Sequence, residues 1–272
     1  FNMRIAKWSK KYKFETIYYI APQLWAWNEK RIKQIKKYIN SLYVILPFEK
    51  EFFESKHNYP VKFLGHPLAD SIYNFKTNYK SSNKLITSAK KPIIAILPGS
   101  RKQEIKKILN TVIETVECFK EYQFIVAGAP NIELSYYTSI IKNKKIKVIE
   151  NKTYELLSVS YAAIVTSGTA TLETALFKVP QVVCYKSSYF SFVIAKLIVN
   201  IKYISLVNLI MDQEIVKELI QHDCNKNKIT KELKKILDLN HRKSLKVKYD
   251  ELTSILGNFG TSKRVALDII TK

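Results

Sequence analysis

Cysteine is scarce in this chain: three residues, Cys118, Cys184 and Cys224, with no C-x-x-C spacing. That excludes a disulfide framework and a cysteine zinc site, and suits a reducing cytoplasm. No charge-free apolar run approaches the ~18–20 residues of a membrane-spanning helix. The P-loop and the G-x-G-x-x-G fingerprint are both missing, and there is no D-x-D pair to hold a divalent metal against a diphosphate. RNP, KH, helix-turn-helix and zinc-finger signatures are absent too. Acidic residues are few, 23 against 45 Lys and Arg, for a net charge of +22. Such a surface attracts nucleic acid, anionic lipid or a phosphorylated substrate. The lysines are scattered among many Ile and Asn, a bias that genome base composition explains as readily as selection for a polyanion. Phe1 is not an initiator Met, and nothing near it resembles a cleavable signal, so the chain reads as a fragment.

What is present suffices for a sizeable core: 272 residues, 47% of them hydrophobic, in one large domain or two smaller ones. The stretch Ala162–Glu173 organises the rest. Ala162 to Val165 read as the end of a buried parallel strand, and Thr166 to Thr169 as a tight turn with Ser167 or Thr169 as N-cap. A helix then follows, stopped by Pro180. A strand entering a helix through small residues exposes free N–H groups and the positive end of the helix dipole, which suits a phosphate. Glu173 lies about one helical turn further in, where a carboxylate can accept hydrogen bonds from a ribose diol.

A second such junction lies upstream, where Pro92–Leu97 reads as a buried strand and Pro98-Gly-Ser-Arg101 turns into a helix. That helix has the clearest 3.6-residue periodicity in the chain, with Ile105, Ile108, Leu109, Val112, Ile113, Val116 and Phe119 on one face. Further strands are expected at 123–127, 146–149 and 181–185, and a short helix at 153–161. The alternation predicts a doubly wound α/β domain with ligands at the carboxyl ends of its strands. Arg101 adds a fixed, bidentate cation.

In the N-terminal part, 5–12 reads as a helix, 16–21 as a strand, 28–39 as a helix and 42–46 as a strand. A short helix at 48–55 and a strand at 61–65 follow. Trp25 and Trp27 are core residues or a wall against sugar or acyl chains. His66, in a turn before Pro67, is structural or catalytic. Tyr73 to Lys91 is polar and poorly periodic, as a linker is. Ser188–Val199 is apolar nearly all round, either a buried helix or one leaning on a membrane. Short helices are expected at Glu214–Gln221 and Ile229–Leu239, another at Arg242–Leu256, and a last one capped by Thr261 or Ser262.

Taken together, Ala21-Pro-Gln-Leu-Trp-Ala-Trp27, Leu46-Pro-Phe-Glu49, Leu64-Gly-His-Pro-Leu-Ala-Asp70, Leu97-Pro-Gly-Ser-Arg101, Thr166-Ser-Gly-Thr-Ala-Thr-Leu-Glu173 and Ser205-Leu-Val-Asn-Leu-Ile210 resemble the lipid-A-disaccharide synthase family. Glu218 and Gln221 follow in the family's order. The resemblance implies a GT-B fold, two Rossmann-like domains facing across a cleft, the first incomplete at its N-terminus. The implied division is 1–75 for the acceptor and lipid domain, 76–91 for a linker, 92–240 for the UDP-sugar domain, and 241–272 for helices packing back. It implies transfer of 2,3-diacylglucosamine from UDP to 2,3-diacylglucosamine 1-phosphate, with inversion, and without metal or cofactor. The enzyme would sit peripherally on the cytoplasmic face of the inner membrane, with no nucleic-acid partner and with a homodimer left open.

Arg101 would stabilise the leaving diphosphate, and Gly99, Ser100, Ser167, Gly168, Thr169, Thr171 and Glu173 would bind donor. Asn208, Glu218 and Gln221 would orient it, and Trp25, Trp27 and His66 would serve the acceptor side. The family's candidate general-base Asp falls just upstream of Phe1. Lys217 stands where the family commonly has Pro, and Gln23 and Leu24 vary a Pro-Ser-Val-Trp pattern. Two alternatives stay open: another GT-B enzyme of UDP-GlcNAc, such as a lipid II-type transferase or a non-hydrolysing 2-epimerase, and a non-catalytic basic nucleic-acid-binding protein.

Overall fold

A computed structural model describes residues 2–78, 91–142, 146–188 and 201–271. The chain divides into two compact units. One comprises residues 2–73, 201 and 253–271, the other residues 74–78, 91–142, 146–188 and 202–252.

The first unit holds α1 (Asn2–Lys11), β1 (Ile17–Tyr19), α2 (Leu24–Trp27), α3 (Ile32–Tyr38), β2 (Ser41–Val44), α4 (Pro47–Glu51) and β3 (Lys62–Phe63). The strands form a parallel sheet in the order β1-β2-β3. Ile32 and Ile35 on one face of α3, with Ile39 just beyond its end, pack against Leu42, Val44 and Phe53. Pro47 begins α4, where its missing N–H leaves no intrahelical bond unmade. Glu49 then reaches back to accept the N–H groups of Ile45 and Leu46 at 3.2 and 3.0 Å. Its other oxygen accepts Trp25 Nε1 at 3.1 Å, so two of the sequence motifs meet in one buried hydrogen-bond group.

After α5 (Pro67–Asn78), the second unit alternates strand and helix: β4 (Ile93–Leu97), α6 (Lys102–Val116), β5 (Gln123–Gly128), α7 (Leu134–Ile141), β6 (Ile146–Glu150) and α8 (Thr153–Val159). It continues with β7 (Ser160–Thr166), α9 (Thr169–Leu176), β8 (Gln181–Tyr185), α10 (Leu206–Met211), β9 (Lys217–Ile220) and α11 (Lys226–Leu237). All six strands are parallel, in the order β6-β5-β4-β7-β8-β9. Every residue of β4 is buried, which is why it reads as an unbroken apolar run. The periodic face of α6 contributes Ile105, Ile108, Leu109 and Val112 to the same core.

α12 (Leu239–Leu256) and α13 (Thr261–Ile270) close the chain. Beside them, Gly65 has φ +114°, and a Cβ there would fall 2.5 Å from Thr261 Oγ1. Only glycine lets the two segments approach so closely.

Three expectations are corrected and one helix is added. Glu214–Gln221 is not a helix, because Lys217–Ile220 pairs with β8. Asn208 Oδ1 accepts the N–H groups of Ile215 and Val216 at 2.8 and 2.9 Å and leads the chain in extended, a tertiary constraint no local period reveals. α7 was not anticipated. The N-cap of α13 is Gly260, not Thr261 or Ser262, and the capping acceptor is the distant Asp70 carboxylate. The polar stretch from Tyr73 begins as the end of α5, held by Phe75 packing on Phe177 with ring centroids 5.7 Å apart. Residues 79–90 of the expected linker lie outside the described residues, as do residues 189–199 of the apolar segment, including Phe190 and Phe192. Cys184 and Cys224 are buried and Cys118 is exposed, all three as free thiols. Among the described residues no helix is long and apolar enough to cross a membrane.

Candidate active site

Numbered from β4, the strands of the second unit run 3-2-1-4-5-6, and the order reverses between β4 and β7. In such sheets a crevice opens outside the carboxyl ends at the reversal. Here the turns after these two strands line one cleft of about 450 Å³. Gly99, Ser100 and Arg101 come from the first turn, and Ser167, Gly168 and Thr169 from the second. Glu104, Thr153 and Glu173 complete its polar wall.

The second turn has a glycine for a backbone reason. Gly168 sits at φ +154°, ψ −161°, which side-chain-bearing residues rarely adopt, although a Cβ there would meet nothing within 4 Å. Gly168, not Ser167 or Thr169, is the N-cap of α9. The Ser167 N–H is already spent on the Cys184 carbonyl at 3.1 Å, and its hydroxyl donates to Ile204 O at 2.7 Å. Thr171 is fully buried, its hydroxyl donating to Gly168 O at 2.8 Å, so it braces the turn from behind. Among the described residues, the turn's backbone donors left for a ligand are those of Gly168, Thr169 and Ala170. Thr166 Oγ1, in the same wall, is buried and has no hydrogen-bond partner among the described residues.

In the first turn, Arg101 projects with its side chain 81% exposed and is held by Glu104, Nη1 to Oε1 at 3.0 Å. Tyr136 Oη fixes the backbone behind it by donating to Lys102 O at 2.8 Å. Glu173 is partly buried in the cleft and accepts Tyr154 Oη at 3.0 Å. Burial raises the pKa of both groups. Two helix N-termini and a guanidinium therefore converge where an anion would lie, beside a carboxylate that accepts hydroxyls.

Residues 1–267 match the family described as lipid-A-disaccharide synthetase. The chain belongs to that family. The lipid-A-disaccharide synthase of Coxiella burnetii is 35% identical over 271 residues, covering 98% of this chain and 72% of the relative. That of Persephonella marina is 35% identical over 280 residues, covering 98% and 74%. Among solved structures, the UDP-GlcNAc 2-epimerase of Neisseria meningitidis, bound to UDP-GlcNAc, is similar with a TM-score of 0.68 at 12% identity, over 99% of this chain and 73% of that one. The calicheamicin glycosyltransferase is similar with a TM-score of 0.58 at 10% identity, over 99% and 71%. At such identities the likeness speaks for the fold, α/β with parallel sheets and Rossmann-like as in GT-B enzymes.

Other residues singled out from the lipid-A-disaccharide synthetase motifs stand elsewhere. Asn208 is fully buried, its amide donating to Val216 O and Glu218, both at 2.8 Å. Glu218 also accepts the N–H groups of Ile204 and Ser205, each at 2.9 Å. Gln221, at φ +51°, exchanges hydrogen bonds with Ser187. These three brace the segment beyond β8 and do not line the cleft. Trp25, Trp27 and His66 belong to the first unit. Trp25 is tied to Glu49, while Trp27 is exposed. Buried His66 accepts the Leu68 N–H on Nδ1 at 3.1 Å, and burial lowers its pKa to about 4.

Glu104 and Tyr154 were missed. Glu104 had a signal, since it lies three residues after Arg101 at the capping-box spacing. Tyr154 had none, because its contact depends on how α8 meets α9.

Proposed function

We propose that the cleft holds the UDP moiety of a lipid-linked sugar donor. In the reaction 2,3-diacylglucosamine passes from UDP to 2,3-diacylglucosamine 1-phosphate, whose attacking hydroxyl gives its proton to a general base not among the residues assigned here, forming the β-1,6 disaccharide 1-phosphate and releasing UDP. The observation that carries this is the meeting of the two turns, with Arg101, at the strand-order reversal of a chain in this family.

As the bond from the anomeric carbon to the diphosphate breaks, negative charge grows on the leaving oxygens. Arg101 and the N–H groups of Gly168, Thr169 and Ala170 are already aimed at that place, so the developing charge meets fixed dipoles rather than reorganising water. Ser100 lines the same approach. Glu173, one turn along α9, accepts the ribose hydroxyls. Gly99 and Gly168 let the backbone come close to the phosphates. Ser167 and Thr171 keep the second turn in shape, while Asn208, Glu218 and Gln221 hold the wall beyond β8 in register.

Both substrates carry fatty acyl chains, so the reaction takes place at a lipid surface. The excess of 45 basic over 23 acidic residues provides long-range attraction to anionic lipid. Product analysis tests the reading, with UDP-diacylglucosamine and UDP-GlcNAc offered separately against diacylglucosamine 1-phosphate. A disaccharide from the acylated donor alone is expected. Epimerised UDP-GlcNAc, or a disaccharide from the unacylated donor alone, would overturn it.

A further inference from the structure

Tyr154 takes no part in the scheme above, yet it makes the one hydrogen bond among the described residues that fixes the Glu173 side chain, Oη to Oε1 at 3.0 Å. Its ring is clamped between two others, with centroids 5.2 Å from Phe177 and 5.6 Å from Phe75. Phe75 and Phe177 also meet edge-on, 5.7 Å apart at 69°. Lys76 Nζ lies 5.3 Å from the Phe177 centroid and donates to Leu176 O at 3.3 Å, closing the cluster from outside. A phenol so held has little freedom to turn away, and its proton has no other acceptor among the described residues.

A carboxylate offers about four lone-pair sites on two oxygens. Tyr154 occupies one site on Oε1. Oε2 accepts nothing among the described residues, and Glu173 lines the cleft. An unanchored glutamate would sample several rotamers, and a ligand would bear the entropy of choosing one. We infer that Tyr154 is a positioning residue that presents Glu173 to a vicinal diol, so that the site distinguishes ribonucleotides from deoxyribonucleotides. This rests on reading the cleft as a nucleoside-diphosphate site. The acyl groups play no part in it, so the selectivity is read with UDP alone.

The test compares binding of UDP, 2′-deoxy-UDP and 3′-deoxy-UDP by calorimetry to the unmodified chain, Tyr154→Phe and Glu173→Gln. Tyr154→Phe keeps the ring clamp and loses only the hydroxyl. It is expected to weaken UDP about three- to tenfold and to leave the deoxy analogues nearly unchanged, so the preference for ribose shrinks by the same factor. Phe75→Leu, which loosens the ring but keeps the hydroxyl, gives an intermediate preference and serves if the first variant fails to fold. Equal weakening of all three ligands by Tyr154→Phe would show a merely structural role and overturn the inference. So would a ribose preference retained in full by Tyr154→Phe but lost in Glu173→Gln, an outcome that leaves the nucleotide site standing. A preference that survives Glu173→Gln overturns the assignment of Glu173 to ribose, and the inference with it.

Discussion

Asp70 Oδ2 accepts the backbone N–H of Ser262 at 2.7 Å, across 192 positions of chain. The other oxygen accepts Gly260 and Thr261 at 2.6 and 3.1 Å, so one side chain takes three of the four orphan donors at the start of α13. Burial alone would push the Asp70 pKa up. The hydrogen bonds from Ser262, Gly260 and Thr261 outweigh it and hold the carboxyl below its usual range. Asp70→Ala is expected to cost about 1–2 kcal/mol, as loss of an N-cap does, measured as a lower urea midpoint at unchanged slope. Because the folded pKa is depressed, this contribution is complete above the unfolded value and is lost as pH falls through the folded one. Asp70→Asn should therefore flatten the most acidic part of the stability profile, and an unchanged profile there would refute the capping role.

His66 shifts in the same direction for a different reason, since burial disfavours its charged form. Its folded pKa of about 4 lies below the unfolded value of ~6.5, so folding favours the neutral ring. Stability from this group is complete above the unfolded pKa and declines as pH drops towards the folded one, by on the order of 3 kcal/mol. Denaturation midpoints between pH 7.5 and 4.5 should show that slope, and His66→Gln should lose it.

Arg101→Ala in a catalytically complete enzyme should lower kcat by about 10²–10³-fold, the usual effect of removing a donor to developing negative charge. The melting temperature should hold, since the side chain is 81% exposed. Lys at the same position restores only part of the rate, because an ammonium cannot make the paired contact. Undiminished turnover in the Ala variant would remove Arg101 from the site.

Glu104 bears a negative charge beside the proposed diphosphate position and engages Arg101 at 3.0 Å. Glu104→Gln should tighten UDP binding a few-fold, roughly 1 kcal/mol at most for one charge in a solvated cleft. Weaker binding in calorimetry would mean that aiming Arg101 matters more than the repulsion does.

Vesicle binding should be reversible and salt-sensitive, at ~1 kcal/mol per lysine close to an anionic surface. Co-sedimentation should fall sharply between low and high salt with the circular dichroism spectrum unchanged. Folded protein that ignores anionic vesicles at low salt would rule the surface out.

The second unit was legible in the sequence because its central strands, β4, β5, β7 and β8, are buried on both faces and its helices on one. Ile93–Leu97 and the α6 face carry those signatures outright. The turns at Gly99 and Gly168 were legible because small residues between an apolar run and a helical period have few other uses. β9 was not, since a strand with only Leu219 buried has no alternation to read, and its place is set by Asn208 from ten positions away. The N-cap of α13 was hidden for the same reason: its acceptor lies in another element. Asn208 and Glu218 were visible as family motif residues, but their work as internal braces showed only once their partners were in place.

The pairing of β4 with β7 also bears on how the chain comes off the ribosome. Ile94 has its neighbour on one side at Phe124, but on the other only at Ala162, 68 positions later. At about 5–20 residues per second of synthesis, that flank stays uncovered for roughly 3–14 s. During this interval Ile94, Ala95 and Ile96 form an open apolar edge, the kind that slow parallel pairing leaves open to aggregation. The cleft at the carboxyl ends of these strands needs the same pairing, since its two turns follow β4 and β7. If the cleft holds UDP as proposed, only chains that have passed this stage bind it, and binding distinguishes a finished sheet from one still waiting for β7.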